Sequence, residues 1–186
     1  GEVTDVDAVV RIFARKSPDQ IAVLVETYST GRGENLLEKL KDKEAEWGGG
    51  IFGDADFRAA VLSLLLPPAE RRATAVRDCI EGWGTDNSGL ITLLVHLSER
   101  DRKDLVEAYK KVSGGTSLFD AISYDTSGDF EEVLLALVKP VPTVWAEAIR
   151  SSMHGVGTND ELLINWMLIC KPRMDEVRAA FQKLAG

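Results

Sequence analysis

The sequence is short of the residue types from which most catalytic and metal centres are built. Two histidines, His96 and His154, and two cysteines, Cys79 and Cys170, are all that 186 residues contain. Neither histidine has a serine, cysteine or carboxylate at a telling spacing, so no triad or dyad is legible and no enzyme is expected. The cysteines stand far apart in apolar helical contexts, with neither a CxxC nor the Cys/His spacing of a zinc site. Two reduced, buried thiols are expected. Positive charge is also in deficit. A net charge of −8 argues against nucleic acid as a partner, and against direct attraction to an anionic membrane. No apolar run is long enough to span a bilayer; stretches such as "LLINWMLIC" from Leu162 suit buried helices. No signal peptide is evident. A soluble, cytoplasmic chain is expected, with any membrane contact peripheral. Phosphate-cradling GxxxxGK[ST] is absent, and "DNSG" and "DTSGD" place glycine and closing glutamate wrongly for an EF-hand. Period-two alternation is missing too, which removes strands.

What is present is helical period, so the fold class is all-α. Phe130, Val133, Leu134 and Leu137 fall at i, i+3, i+4 and i+7, one face of a helix. Ala73, Val76 and Ile80 share a face, as do Leu105, Tyr109 and Val112. Ser17-Pro18-Asp19-Gln20 reads as a capping box with proline at the first helical position. Thr158 with Glu161 reads as a second box, and Thr4/Asp7, Ser98/Asp101 and Thr126/Asp129 as acidic variants. Pro67-Pro68 and Pro140-Val141-Pro142 mark stops.

These signals recur. "DFRAAVLSLLLP" (Asp56–Pro67) aligns with "DFEEVLLALVKP" (Asp129–Pro140), and "GEVTD", "GWGTD" and "GVGTN" begin at Gly1, Gly82 and Gly155. Tyr28 follows Thr4 by 24 residues, Tyr109 follows Thr85 by 24, and Phe181 follows Thr158 by 23. Three units are therefore expected: 1–67 lacking its first helix, a complete five-helix unit over 68–140, and 141–186 lacking its last two helices. The five helices of the complete unit are expected at about Ala69–Ile80, Asp86–Leu97, Glu99–Val112, Ser117–Ser123 and Ser127–Leu137.

The turn Gly82-Trp83-Gly84 joins two helices in few residues. Glycine permits positive φ and close backbone approach, so such a turn can bring several carbonyl oxygens to one point. Carbonyls suit a hard cation such as Ca²⁺, which takes about six to eight oxygens at roughly 2.3–2.6 Å. They carry no formal charge, and Asp125, in "SYDTSGDF" 41 residues after Gly84, is the candidate carboxylate. Open positions would go to water or to lipid phosphate oxygens, so the ion would bridge an acidic protein to an acidic surface. Trp83 at the tip would enter the headgroup layer, where indole is favoured. The plainer alternatives are that Trp83 packs on a neighbouring unit and that Asp125 is a loop or cap residue. Arg100, Arg102, Lys103 and Lys110-Lys111 read as a solvated face, with a lipid role as the alternative.

The run "EGWGTDNSGLITLLVHLSERDRKDLVEAY…SLFDAISYDTSGDFEEVLLALVKP" resembles an annexin repeat through its whole length. The resemblance is closest over Glu81–Pro140, clear over Val144–Phe181 and fainter over Gly1–Pro67. It implies five-helix repeats in a right-handed superhelical array, and calcium-dependent binding to acidic phospholipid. By position it implies that the carbonyls of Ile80, Gly82 and Gly84 with bidentate Asp125 form the site of the complete unit. Met153, Gly155 and Gly157 match in the last unit, whose carboxylate would lie beyond Gly186, and Trp83 and Val156 match the loop-tip membrane contacts. In the first unit Val3 replaces the second loop glycine, Phe52 stands opposite Asp125, and eight extra residues fall near Trp47 and Gly48–Gly50. That site is expected to be degenerate, and the insertion to be a surface turn or a divergent contact loop. Divergent protist annexins, the giardins among them, serve the cytoskeleton. A scaffold on cytoskeletal filaments with weak or lost calcium binding is therefore the alternative function, and self-association on a membrane would add avidity.

Overall fold

The computed structural model describes residues 11–13, 15–42, 55–82, 84–155 and 157–185, and every regular element among them is helical. The chain divides into two compact units, Gly1–Arg72 and Ala73–Gly186.

In the first unit residues 11–13 are helical, followed by α1 (Pro18–Arg32), α2 (Leu36–Asp42) and α3 (Ala55–Leu65). The expected box at the start of α1 is formed: Ser17 Oγ accepts from the Gln20 N–H at 3.3 Å, and Gln20 Oε1 accepts from the Ser17 N–H at 3.0 Å. Gly33, with φ 67°, closes α1 in the left-handed region and donates its N–H to the Ser29 carbonyl. The three helices meet pairwise around Phe13, Ile21, Val61 and Leu65. Thr4, Trp47, Gly48–Gly50 and Phe52, on which the expectations of a degenerate site and an insertion rest, lie outside the described residues.

The unit boundary falls within α4 (Pro68–Ile80). The second unit continues with α5 (Asn87–Leu94), α6 (Glu99–Val112), α7 (Leu118–Asp125), α8 (Gly128–Val138), α9 (Val141–Ser152), α10 (Asp160–Cys170), a 3₁₀ turn at Lys171–Arg173 and α11 (Met174–Ala185). Leu90 and Leu94 of α5, Leu105 of α6, Leu118 and Ile122 of α7 and Leu134 of α8 are wholly buried. Burial of side chains of this size stabilises by roughly 1.5–3 kcal/mol each. α8 packs on α5, α6 and α7, and so covers the middle of the unit. α9 packs on α10 and α11 around Ala146, Ile149, Cys170 and Val177. Polar ties join these parts. Arg102 donates to the carbonyls of Leu97, Ala136 and Lys139, Lys139 pairs with Glu147 at 2.7 Å, and Arg173 grips both Glu99 and Glu176.

Four local expectations need correction. Val133 is 56% exposed, and the residues α8 buries are Leu134 and Val138, one helical turn apart, so the buried stripe lies to one side of the expected face. Asn159, not Thr158, caps α10, accepting from the Leu162 N–H at 3.0 Å. Thr126 turns back to the carbonyl of Ile122, so Ser127 becomes the cap position of α8, without a side-chain bond. Finally α5 ends at Leu94 rather than at the expected Leu97, and His96 stands exposed just beyond it.

Candidate metal-binding loops

Six residues, 81 to 86, separate α4 from α5. The loop is closed by one backbone bond: the Asp86 N–H donates to the carbonyl of Cys79 at 2.8 Å. The Asp86 carboxylate then accepts from the Gly89 N–H at 3.0 Å and caps α5. Gly89 is required by closeness, since a Cβ there would lie 2.6 Å from both Cys79 Sγ and Asp86 Oδ2. Gly82 (φ 130°) and Gly84 (φ 89°) occupy backbone conformations that side chains rarely adopt. Among the described residues no backbone N–H takes the carbonyl oxygens of Ile80, Gly82 or Gly84. Glu81, Gly82 and Gly84 are exposed, so carbonyl oxygens of this loop face solvent-accessible ground where a ligand could reach them.

Asp125 is the last residue of α7 and its side chain is exposed. Thr85 Oγ1 donates to the Asp125 backbone carbonyl at 3.2 Å, a bond across 40 positions that holds the end of α7 at the loop. The electrostatics agree. The phenol of buried Tyr109 is pushed above its ordinary value first by burial, then by the carboxylates of Glu81 and Asp125, with Arg77 pulling the other way. Glu81 on the loop and Asp125 on α7 therefore share one neighbourhood. Arg77 pairs with Glu81 at 3.5 Å and with Asp78 at 3.0 Å, and donates to the Val112 carbonyl. The Cys79 thiol beside the loop is pushed above its ordinary pKa, by burial first and then by Asp86 and Asp78.

The second loop repeats the backbone design. The Asn159 N–H donates to the Ser152 carbonyl at 2.9 Å, and Gly155 (φ 113°) and Gly157 (φ 97°) stand where Gly82 and Gly84 stand. No backbone N–H among the described residues takes the carbonyls of Met153, Gly155 or Gly157. A counterpart of Asp125 is missing among the described residues, because α11 is the last element. Trp83 and Val156, the expected membrane contacts, lie outside the described residues.

Among the described residues no group of three or more His, Cys, Asp or Glu side chains is placed to hold a metal. A cation at residues 80–84 would rest on carbonyls with one carboxylate, a donor set that suits a hard ion such as Ca²⁺ and not zinc. The residues present fit that role at the first loop, and fit it in part at the second. Of the basic residues, Arg102 is committed to backbone carbonyls and Arg100 is 91% exposed beside Asp104. Two features escape sequence reasoning. One is Gly89, whose need depends on Cys79 ten positions away. The other is Tyr124, 88% exposed beside Asp125, which helical period could have placed opposite buried Ile122.

Residues 71–137 match the annexin family model. Over its whole length the chain is 28% identical to annexin A4 of Mus musculus, of which it covers 60%. The chain thus spans about 60% of the length of such curated relatives. Its fold matches the structure of annexin III with a TM-score of 0.64 at 24% identity, covering 99% of this chain and 58% of that one. It matches the calcium-bound structure of alpha-14 giardin with a TM-score of 0.52 at 19% identity, covering 86% and 53%. With the repeated helical units, the paired glycine loops and these likenesses together, the chain belongs to the annexin family.

Proposed function

We propose that this chain binds acidic phospholipid membranes peripherally and in a calcium-dependent way, chiefly through the loop at residues 80–84 with Asp125. The observation that carries the reading is the Thr85–Asp125 bond, which ties the end of α7, where exposed Asp125 stands, to the glycine loop. Family membership supports the general activity, and a giardin of like fold has been solved with calcium bound. The carbonyls of Ile80, Gly82 and Gly84 would hold the ion and Asp125 would supply its charge balance. Bound Ca²⁺ contributes positive charge and open coordination positions for lipid phosphate oxygens. Arg77, 3.5 Å from Glu81 and 3.0 Å from Asp78, offsets part of the negative charge beside the loop. The loop at Met153, Gly155 and Gly157 would offer its carbonyls in the same way. A giardin of like fold keeps, as a second reading, a scaffold on cytoskeletal filaments with weak calcium binding.

Cosedimentation with phosphatidylserine vesicles across a calcium titration tests the proposal. Binding should need calcium and reverse on chelation, and Asp125→Ala should raise the calcium midpoint by about tenfold or more, the equivalent of one lost charged ligand. Sedimentation that is indifferent to chelator rejects the bridge. Calcium-independent cosedimentation with actin or microtubules, with no vesicle binding, selects the scaffold.

A further inference from the structure

Tyr124 is out of place for a residue that stabilises the fold. It is 88% exposed, further out than any other large apolar or aromatic side chain among the described residues, the next being Leu168 at 65%. On α7 the buried positions are Leu118, Ala121 and Ile122, so Tyr124 projects about 200° around the helix from Ile122, away from the core. Its phenol enters no hydrogen bond among the described residues. It also immediately precedes Asp125, and the Thr85 bond pins that end of α7 to the glycine loop. An exposed tyrosine without a hydrogen bond among the described residues therefore stands next to Asp125, at the end of α7 that Thr85 ties to the loop.

We infer that Tyr124 is a second interfacial anchor, a ring beside Asp125 that enters the headgroup layer of the membrane. The inference rests on the proposed membrane reading and adds to it a contact that the glycine loop does not supply. Tyrosine suits this position because its ring gains by leaving water while its hydroxyl stays wet among headgroups. A free phosphate or a soluble anionic ligand would use the carbonyls and Asp125 but would have no use for the ring. The occupant is therefore a lipid surface rather than an isolated anion.

The test compares Tyr124→Ala, Tyr124→Phe and Tyr124→Trp with the unaltered chain and with Asp125→Ala, on phosphatidylserine vesicles at saturating calcium. Tyr124→Ala should weaken vesicle binding about threefold to tenfold, the effect of one interfacial aromatic, while Tyr124→Phe stays within about twofold. Binding of free calcium, read by calorimetry without lipid, should not change in either. Tyr124→Trp should add an emission component that shifts to the blue only with calcium and vesicles together, and that brominated lipid quenches. If the unaltered chain binds, Asp125→Ala impairs it, and Tyr124→Ala binds as well as the unaltered chain, then Tyr124 is not an anchor although the calcium bridge stands. An added indole whose emission stays unshifted on vesicle-bound protein overturns the anchor in the same way. If the unaltered chain does not bind at millimolar calcium, the membrane reading falls and the anchor with it.

Discussion

The loop between α4 and α5 and the loop between α9 and α10 share a backbone but not surroundings. Each is closed by a bond seven residues back, Asp86 to Cys79 and Asn159 to Ser152, and each carries two glycines with positive φ. In the first case α7 and α8 follow, supplying Asp125 and covering the helices below. In the second, the matching positions stay open. Leu94 is wholly buried, while Met167, which occupies the same place 73 residues on, is 44% exposed. Around it Ile149, Leu163, Val177 and Phe181 line an open groove of about 520 Å³. The difference teaches that loop shape is a local property of two helices and their turn, whereas a dry core depends on the helices that pack over them.

The largest test of this division is made in the core. Leu94→Ala should cost about 2–5 kcal/mol, the range for a wholly buried leucine, whereas Met167→Ala should cost less than about 1 kcal/mol because the site is already open. Equal losses in urea denaturation would remove the contrast. A middling effect is expected at Gly89, where the other loop has Leu162, 41% exposed. Gly89→Leu should lower stability by about 1–3 kcal/mol, because the new Cβ must push aside Cys79 Sγ and the capping carboxylate of Asp86. A neutral outcome would mean that the cap swings away freely.

The smallest effect is a titration. Tyr109 holds its proton to higher pH than an ordinary tyrosine, from burial first and then from Glu81 and Asp125. Its contribution to stability is full below the unfolded value, near about 10, and is lost as pH rises through the folded value. Asp125→Asn should therefore move the Tyr109 titration downward, by ultraviolet absorbance with Tyr28 and Tyr124 replaced by phenylalanine. An unmoved titration would place Asp125 further from the loop than the Thr85 bond requires.

Much of this arrangement is legible in the sequence, since the cues are local. The glycine pairs, Ser17 with Gln20, Ser98 with Asp101, and the return of Asp125 to the loop mouth all follow from spacing and turn chemistry. The departures have physical reasons. Threonine next to asparagine or serine leaves two candidate caps, and only the packed geometry chooses between Thr158 and Asn159. A periodic face names a stripe but not its centre, so Val133 could not be told from Val138. Gly89 answers to Cys79 across a helix junction, a closeness that no spacing rule reports.

The Thr85–Asp125 bond has one more consequence. It engages the aspartate through its backbone carbonyl, so both carboxylate oxygens are left uncommitted by that bond. Gathering two points 40 residues apart carries a loop-closure entropy that grows with the logarithm of length, on the order of a few kcal/mol. Here that entropy is lost while the helices assemble, before any ion arrives. At the proposed site a cation would then divert little of its binding free energy into ordering the chain.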